Sequence, residues 1–434
     1  MNHDISIIIT AHKEGEIAQA SLRSALRCAE FARAKNITVE IVCTLDAADD
    51  QTQAMFVQFK DSIDQLIVLD HRDLGLSRNS AIQASHGKYI ALLDADDLWS
   101  ENWLYTCFHS LENRENKKQI LHPEYSLFFE ARSNLWKHRS QVEMNPDELS
   151  VIFFVNHWTA LCFAHRDVFT DVPYLKSGVG SGFGFEDWHW NAETIGKGYL
   201  HSIVPGTSHF IRKKTKNSLL SLHRETDATI RKCSLFDLTH YFSPTLRDIL
   251  GDYLTGARTS SVRHYEPAKF PGWLKELLLR ASEIEPQLKP EPAYLSSFQQ
   301  FVLTSTRAGR AYAEARNSLG ATPPDLLILI DPDSIQEIES LPQRAITESS
   351  GSNCIMIALG SLNLKVRRKF PNLKWVEFHR LCEGLSEAEK ETILLRLIIQ
   401  TEPKRIFNLN SPLAKAMEGK FRKAIAEKSA WSAQ

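Results

Sequence analysis

Three carboxylates, Asp94, Asp96 and Asp97, stand together in YIALLDADDLWSENWL (Tyr89–Leu104), directly after a short apolar run. Acids this close repel one another unless a cation neutralises them. Hard divalent ions such as Mg²⁺ or Mn²⁺ take one or two carboxylates and complete their shell with substrate phosphates and water. Asp94 and Asp96 are therefore candidate ligands of a metal that bridges to a diphosphate. The same acids also read as loop residues at a strand end, with Asp97 or Ser100 capping the following helix.

The elements that must carry this cluster alternate. ISIIIT (Ile5–Thr10) and ITVEIVCTLD (Ile37–Asp46) are β-branched runs of the kind buried on both faces of a sheet. LIVLD (Leu66–Asp70) and Lys88–Leu93 are two further strands, and helical spacing over 16–35, 51–59 and 76–85 separates the four. Such a βαβαβαβ series predicts an α/β class with a mostly parallel sheet and helices on both faces. Ligands of these sheets bind beyond the carboxyl ends of the strands. Here those ends carry Thr10 with His12 and Glu14, then Asp46, Asp70, and Asp94 with Asp96.

A second cluster is GVGSGFGFEDWHW (Gly178–Trp190), whose four glycines let a backbone approach a ligand closely. Glu186 and Asp187 then open a helix, where acids are favoured against the macrodipole. Trp158, Trp188 and Trp190 offer flat faces for an acceptor or sugar ring, a shape that a packed core uses equally. His189 reads as structural.

At 434 residues the chain predicts two or three domains. Its 43% apolar and 24% charged residues are those of a soluble globular protein, and a net charge of −2 gives no global basic field for nucleic acid. No run of eighteen apolar residues occurs, and the N-terminus enters ISIIIT directly, so neither a membrane span nor a signal peptide is expected. Seven scattered cysteines without a CxxC pair argue against a disulfide framework or zinc site and fit a reducing cytoplasm.

SIIITAHKEG, VCTLDAADDQT, DLGLSRNSAIQASHGKYIALLDADD and GFGFEDWHW, in that order over roughly Ile5–Ser218, resemble glycosyltransferase family 2, inverting enzymes of the GT-A fold. The resemblance implies a nucleotide-sugar donor, for which a UDP-linked hexose is the default expectation, and Mn²⁺ or Mg²⁺. It places Thr10, His12 and Glu14 at the nucleotide base, where this chain departs from the commoner Pro-Thr-Tyr-Asn segment, and Asp46 at the base or ribose. It sets Arg78 and Asn79 beside the donor phosphates or sugar. Asp94 and Asp96 become its DXD motif, with Asp96 the direct metal ligand and Asp94 nearer the sugar. Asp187 becomes the general base, supported by Glu186; a positioned carboxylate can take the proton of an attacking hydroxyl at neutral pH. His209 falls where several members place a third metal ligand. In TSHFIRKKTKNS the cations Arg212, Lys213, Lys214 and Lys216 fall where a mobile loop covers the diphosphate, although alone they read as a solvated basic run.

The expected domains are 1–222, the GT-A unit; 223–320, a helical extension and linker; and 321–434, a Rossmann-like α/β unit. That last region, with IEPQLKP, PPDLLILID and LSEAEKETILLRLIIQTEPKRIFNLNSPLAKAM, resembles the first half of a GT-B transferase module found in multidomain bacterial polysaccharide enzymes. It lacks a Gly-rich phosphate loop after Gly360, so no glycosyl transfer is expected of it alone. It reads as a piece of a larger polymerase or as a scaffold.

The favoured function is sugar transfer to a growing bacterial surface glycan, of O-antigen or capsule type, with an acceptor that is lipid-linked or free. A contact with a membrane surface or assembly partner is left open. A catalytically silent carbohydrate-binding module is the alternative from another class; it requires a degenerate site, whereas Asp94, Asp96 and Asp187 are all present. A sugar nucleotidyltransferase fits less well, because the N-terminus lacks a Gly-rich phosphate loop followed by a basic residue.

Overall fold

The structure is a computed structural model that describes residues 3–112, 117–144, 146–178, 180–214, 219–236, 267–300, 306–320, 322–331, 353–361, 367–368, 371, 373–409, 411–426 and 430–433. The first part runs β1 (His3–Ala11), α1 (Ala18–Arg33), β2 (Val39–Asp46), α2 (Asp50–Gln58), β3 (Gln65–Leu69), α3 (Leu74–Ala84) and β4 (Gly87–Asp94). The four strands are parallel, with β1 between β2 and β4 and β3 outside β2. All eight residues of β2 are buried, Glu40, Thr44 and Asp46 included, as expected of a β-branched strand covered on both faces. Helix α1 turns Leu22, Ala25, Cys28, Ala29 and Ala32 into the same core as the inner residues of β1 and β2. Asp73 caps α3, its Oδ1 accepting from the Leu76 amide at 3.1 Å.

After β4 the chain forms β5 (Leu98–Trp99), α4 (Trp103–Glu112), β6 (Gln119–Glu130), β7 (Asn134–Lys137), α5 (Pro146–Ser150), β8 (Phe163–His165), α6 (Arg166–Asp171), α7 (Glu186–Gly196), β9 (Leu200–Lys213) and α8 (Leu219–Glu225). The sequence text over 124–215 reads as irregular, yet β6 and β9 are two of the longest strands here. They pair in parallel from Gln119↔Leu200 to Glu130↔Lys213, with a register shift at Pro123. Pro123 and Gly206 read as breakers, but the bulge absorbs the proline. Burial of most of β6 on both faces also removes the polar alternation that marks a strand.

The short strand β10 (Gln299–Gln300) completes a ten-stranded sheet in the order β10-β7-β6-β8-β4-β1-β2-β3, with β9 on β5 and β6. A second, all-parallel sheet follows from β11 (Leu326–Ile330), β12 (Cys354–Ala358), β13 (Lys374–Val376), β14 (Arg405–Leu409) and β15 (Ala430–Ala433), ordered β13-β12-β11-β14-β15. The long helix of this unit, Glu387–Thr401, opens on a capping box of Ser386 and Glu389.

The connecting stretch belongs partly to each unit. Helix Gly272–Ala281 buries Leu274 and Leu278 against Leu98 and Phe210, so this part of its apolar face is used by the core. Helix Thr306–Leu319 instead buries Ala308, Tyr312 and Ala315 with the second sheet. All seven cysteines are free and buried. Among the described residues no helix is long and apolar enough to cross a membrane.

Candidate active site

Between β1 and β4 the sheet order reverses, the point at which parallel sheets open a crevice for ligands. Thr10 and Asp94 end these strands in register with one another. Arg78, reaching in from α3, is 1% exposed and ties two motifs together. Its guanidinium donates to Asp94 Oδ1 at 2.7 Å and to Glu186 Oε1 at 2.9 Å. Burial opposes the charge on Arg78, but Asp94 and Glu186 outweigh it and hold the group protonated. Thus the end of β4 and the start of α7, ninety residues apart in sequence, share one buried cation. That is an arrangement for fixing geometry more than for meeting a ligand.

Asp187 stands beside this junction. Its Oδ2 accepts from Asn156 Nδ2 at 3.0 Å, and Asn156 Oδ1 accepts in turn from Asn191 Nδ2 at 2.8 Å. Burial raises the Asp187 pKa above the usual carboxylate range; Arg78 opposes the rise. Glu186 is pushed up to about 7, by burial and by Asp187, again against Arg78. A carboxylate in this state can take a proton from an attacking hydroxyl near neutral pH.

On the other flank Lys214 Nζ pairs with Asp96 Oδ2 at 2.8 Å and lies 3.9 Å from Glu14 Oε1. Burial raises the Glu14 pKa; the His12 backbone N–H, which donates to its Oε2 at 2.6 Å, works against this, and Asp96 adds to the rise. Burial lowers the Lys213 pKa, while Asp97, Asp96 and Asp187 all favour its charge, so this lysine lies within the field of both acidic groups. His12 is exposed, with Nδ1 at 2.6 Å from the Asp46 carbonyl. Thr10 Oγ1 is buried without a partner at the head of β1.

Several residues expected at the ligand sit elsewhere. Both Asp46 oxygens are engaged by the amides of Arg72 and Asp73 and the Ser77 hydroxyl, which shapes the turn into α3. Asn79 exchanges two hydrogen bonds with the Tyr174 backbone, at 2.8 and 3.0 Å. The His209 ring is fully buried, 4.5 Å edge-on to Trp103 and tilted against Trp99, and no acid acts on it; it is a core ring rather than a companion of Asp96. Arg212 is buried too, bound to Glu130 at 2.7 Å and to Glu285 of the connecting stretch, so it fastens that stretch and does not cover a phosphate. Trp158 and Trp188 present no faces to a sugar. Each is buried, with its indole N–H given to a backbone carbonyl, of Arg139 and Ile152 respectively. Lys216 lies outside the described residues.

Reasoning on motifs missed Asn156, which no local pattern marks, and gave Asp97 only a capping role. Asp97 is 4% exposed and accepts the Arg212 amide at 2.8 Å, locking β9 to the strand-end acids. Among the described residues, no group of three or more His, Cys, Asp and Glu is arranged to hold a metal. Asp94 meets Arg78 through Oδ1 and Asp96 meets Lys214 through Oδ2, which leaves the second oxygen of each for a ligand. The donor set thus fits a Mg²⁺ or Mn²⁺ ion that relies on phosphate oxygens for the rest of its shell.

Residues 6–165, which run from within β1 to the end of β8 and hold the strand-end acids, match the sequence model of Glycosyl transferase family 2. This region belongs to glycosyltransferase family 2. The chain is 33% identical over 95 residues to the succinoglycan biosynthesis protein ExoO of Rhizobium meliloti, covering 22% of this chain and 26% of that protein. It is 31% identical over 114 residues to WfaP of Escherichia coli, a UDP-Glc:alpha-D-GlcNAc-diphosphoundecaprenol beta-1,3-glucosyltransferase, covering 26% and 42%. The matches therefore span less than half the length of these relatives. Among solved structures, S. aureus TarS 1-349 in complex with UDP-GlcNAc aligns over 98% of this chain and 91% of that one, at 10% identity and a TM-score of 0.42. The family 2 region ends before Glu186 and Asp187, which the fold returns to its rim through Arg78.

Proposed function

We propose that the chain is an inverting glycosyltransferase that moves a sugar from a nucleoside-diphosphate donor, UDP-linked, to a hydroxyl of a growing bacterial surface glycan. The observation that carries this reading is the Arg78 junction, which holds the strand-end acids and the Glu186–Asp187 pair on one rim. The acceptor hydroxyl gives its proton to Asp187 as its oxygen bonds to the anomeric carbon. The bond from that carbon to the diphosphate breaks on the opposite face, so one displacement inverts the centre and needs no covalent enzyme intermediate. Lys213 and Lys214 meet the charge left on the diphosphate. Asp94 and Asp96 would hold a divalent ion, which supplies further neutralisation of that leaving group. His12 lies against the nucleotide base in this reading, which its exposure and its bond to the Asp46 carbonyl support.

The likeness to ExoO and WfaP supports a glycan product, and the name of WfaP supports a UDP-linked donor and an acceptor on a lipid diphosphate. We place the reaction in the cytoplasm, at the membrane face where such an acceptor lies. The test is calorimetric titration of UDP, GDP and dTDP, with Mn²⁺ and with chelator, on the wild type and Asp96→Ala. Metal-dependent binding of UDP, lost in Asp96→Ala, is the expected result. Binding of another nucleotide redirects the donor, and binding of none removes the transferase reading.

A further inference from the structure

The second α/β unit packs against the helix that carries the acidic pair. We infer that Arg396, in that unit, is a positioning residue for the transfer reaction, which through Trp188 holds the start of α7 and Asp187 in place. The inference rests on the reading of Asp187 as the base.

Arg396 lies on helix Glu387–Thr401 and is 2% exposed. Its guanidinium sits 4.9 Å over the Trp188 ring, and Nη1 donates to the Ile230 carbonyl at 3.0 Å. Among the described residues it forms no salt bridge. The groups that favour its charge are Tyr312 and Cys233, and burial lowers its pKa to about 10. A buried cation without an acid is costly, and an aliphatic side chain would fill such a core position more cheaply. What the guanidinium adds is direction. It lies over one indole and donates to one carbonyl at once. Trp188 is the residue after Asp187 and is fixed at its other end by the Ile152 carbonyl at 2.7 Å.

The strap around Ile230 continues the clamp. Lys232 Nζ pairs with Glu402 Oε2 at 2.8 Å, and the Cys233 amide donates to Gln400 Oε1 at 3.4 Å. On the strap's other side, the Thr229 amide donates to the Gly182 carbonyl and Thr229's own carbonyl accepts from the Gly184 amide, each at 3.0 Å. Gly182, at φ +85°, also faces the second unit directly, since a Cβ there would collide with the backbone nitrogen of Ala424. Both the glycine loop and α7 are thus seated on the second unit. Trp188, Ala192 and Ile195 share one core with Leu394, Leu397 and Ile398. The donor side differs, because β1 and β4 are built into other cores.

This division predicts a split that a general loss of stability does not produce. In full-length Arg396→Met, amide hydrogen exchange over 182–190 should quicken about tenfold while β1 and β4 keep their protection. UDP affinity in the presence of Mn²⁺ should stay within about twofold, and kcat should fall at least about tenfold, as expected for a misplaced base. Arg396→Lys, which keeps the charge but loses the guanidinium that reaches the indole and the Ile230 carbonyl together, should fall between, and it carries the same comparison if the methionine variant does not fold. Unchanged exchange over 182–190 in a folded variant overturns the inference. So does exchange that rises equally in β1 and β4 with UDP affinity lost. A wild type that binds UDP but transfers no sugar, with the exchange effect present, instead removes the catalytic reading of Asp187 alone.

Discussion

On the proposed reading of Asp187 as the base, Asn156 sets its working pH. Its amide donates to the ionised carboxylate, and that bond partly offsets the rise caused by burial. A base must be ionised to act, so turnover falls as pH drops through its pKa. Asn156→Ala removes the offset and should move the acid limb of the kcat profile to higher pH, with little change in UDP affinity; a profile that keeps its acid limb would separate Asn156 from the base. Lys214 gives a contrasting case on the donor flank. It is the cation facing Asp96 and Glu14, and Lys214→Ala should weaken UDP binding about tenfold, the scale of one charge-assisted hydrogen bond. Calorimetry on the variant checks this, and unchanged affinity would mean that Lys214 serves only to neutralise Asp96.

At the scale of elements, the glycine loop and α3 are joined through Asp73. Its Oδ1 caps α3, while Oδ2 accepts from the Ser177 amide and hydroxyl and from the Gly178 amide. Asp73→Ala removes a cap and leaves three donors, the two of Ser177 buried, without their acceptor, so a loss of about 2 kcal/mol is expected. Urea unfolding should show that loss together with lower turnover; a stability loss with full turnover would detach this anchor from the site. How far such connections can be read beforehand depends on their range. The strands β1 to β4 were legible because their β-branched runs and intervening helical spacings are local. The acids were legible because they sit at strand ends, and Glu186 with Asp187 because glycines precede them. β6 and β9 were not, since a strand buried on both faces loses its alternation and Pro123 hides in a bulge. Nor could composition decide that Trp158 and Trp188 face inward, or that Arg212 is spent on Glu130 and Glu285, because each depends on partners distant in sequence.

For the whole molecule, the response to acid follows from its buried histidines, chief among them His122, His138, His157, His201 and His209. His122 Nε2 and His201 Nδ1 meet at 2.8 Å, with the Trp158 ring stacked on both, and His201 Nε2 reaches Thr194 Oγ1 at 2.9 Å. His138 is held by Ser126 and the His157 carbonyl, and His157 by the Leu149 carbonyl. Burial lowers all five, His138 and His201 to about 3 and His157 to about 4. Unfolded, each titrates near 6.5, so between these values the unfolded chain binds more protons and stability rises with pH. The full contribution is present above the unfolded value and is lost as pH falls toward the folded one. Glu186 and Asp187 act in the opposite sense, because burial raises their folded pKa values and their protonation favours the fold as pH drops. Their effect ends once the unfolded carboxylates are protonated as well, below about 4. Stability should therefore fall from about pH 6.5 downward, where the five histidines outweigh the two carboxylates, and the fall should slacken below about 3, where only the histidines with the lowest values still differ between the two states. His201→Gln, which can keep a bond to Thr194, should reduce the slope of unfolding free energy between pH 6 and 4 by about 1.4 kcal/mol per pH unit, one proton's worth. Urea titrations at half-unit intervals measure this directly, and parallel curves for the two proteins would show that His201 is already protonated in the fold.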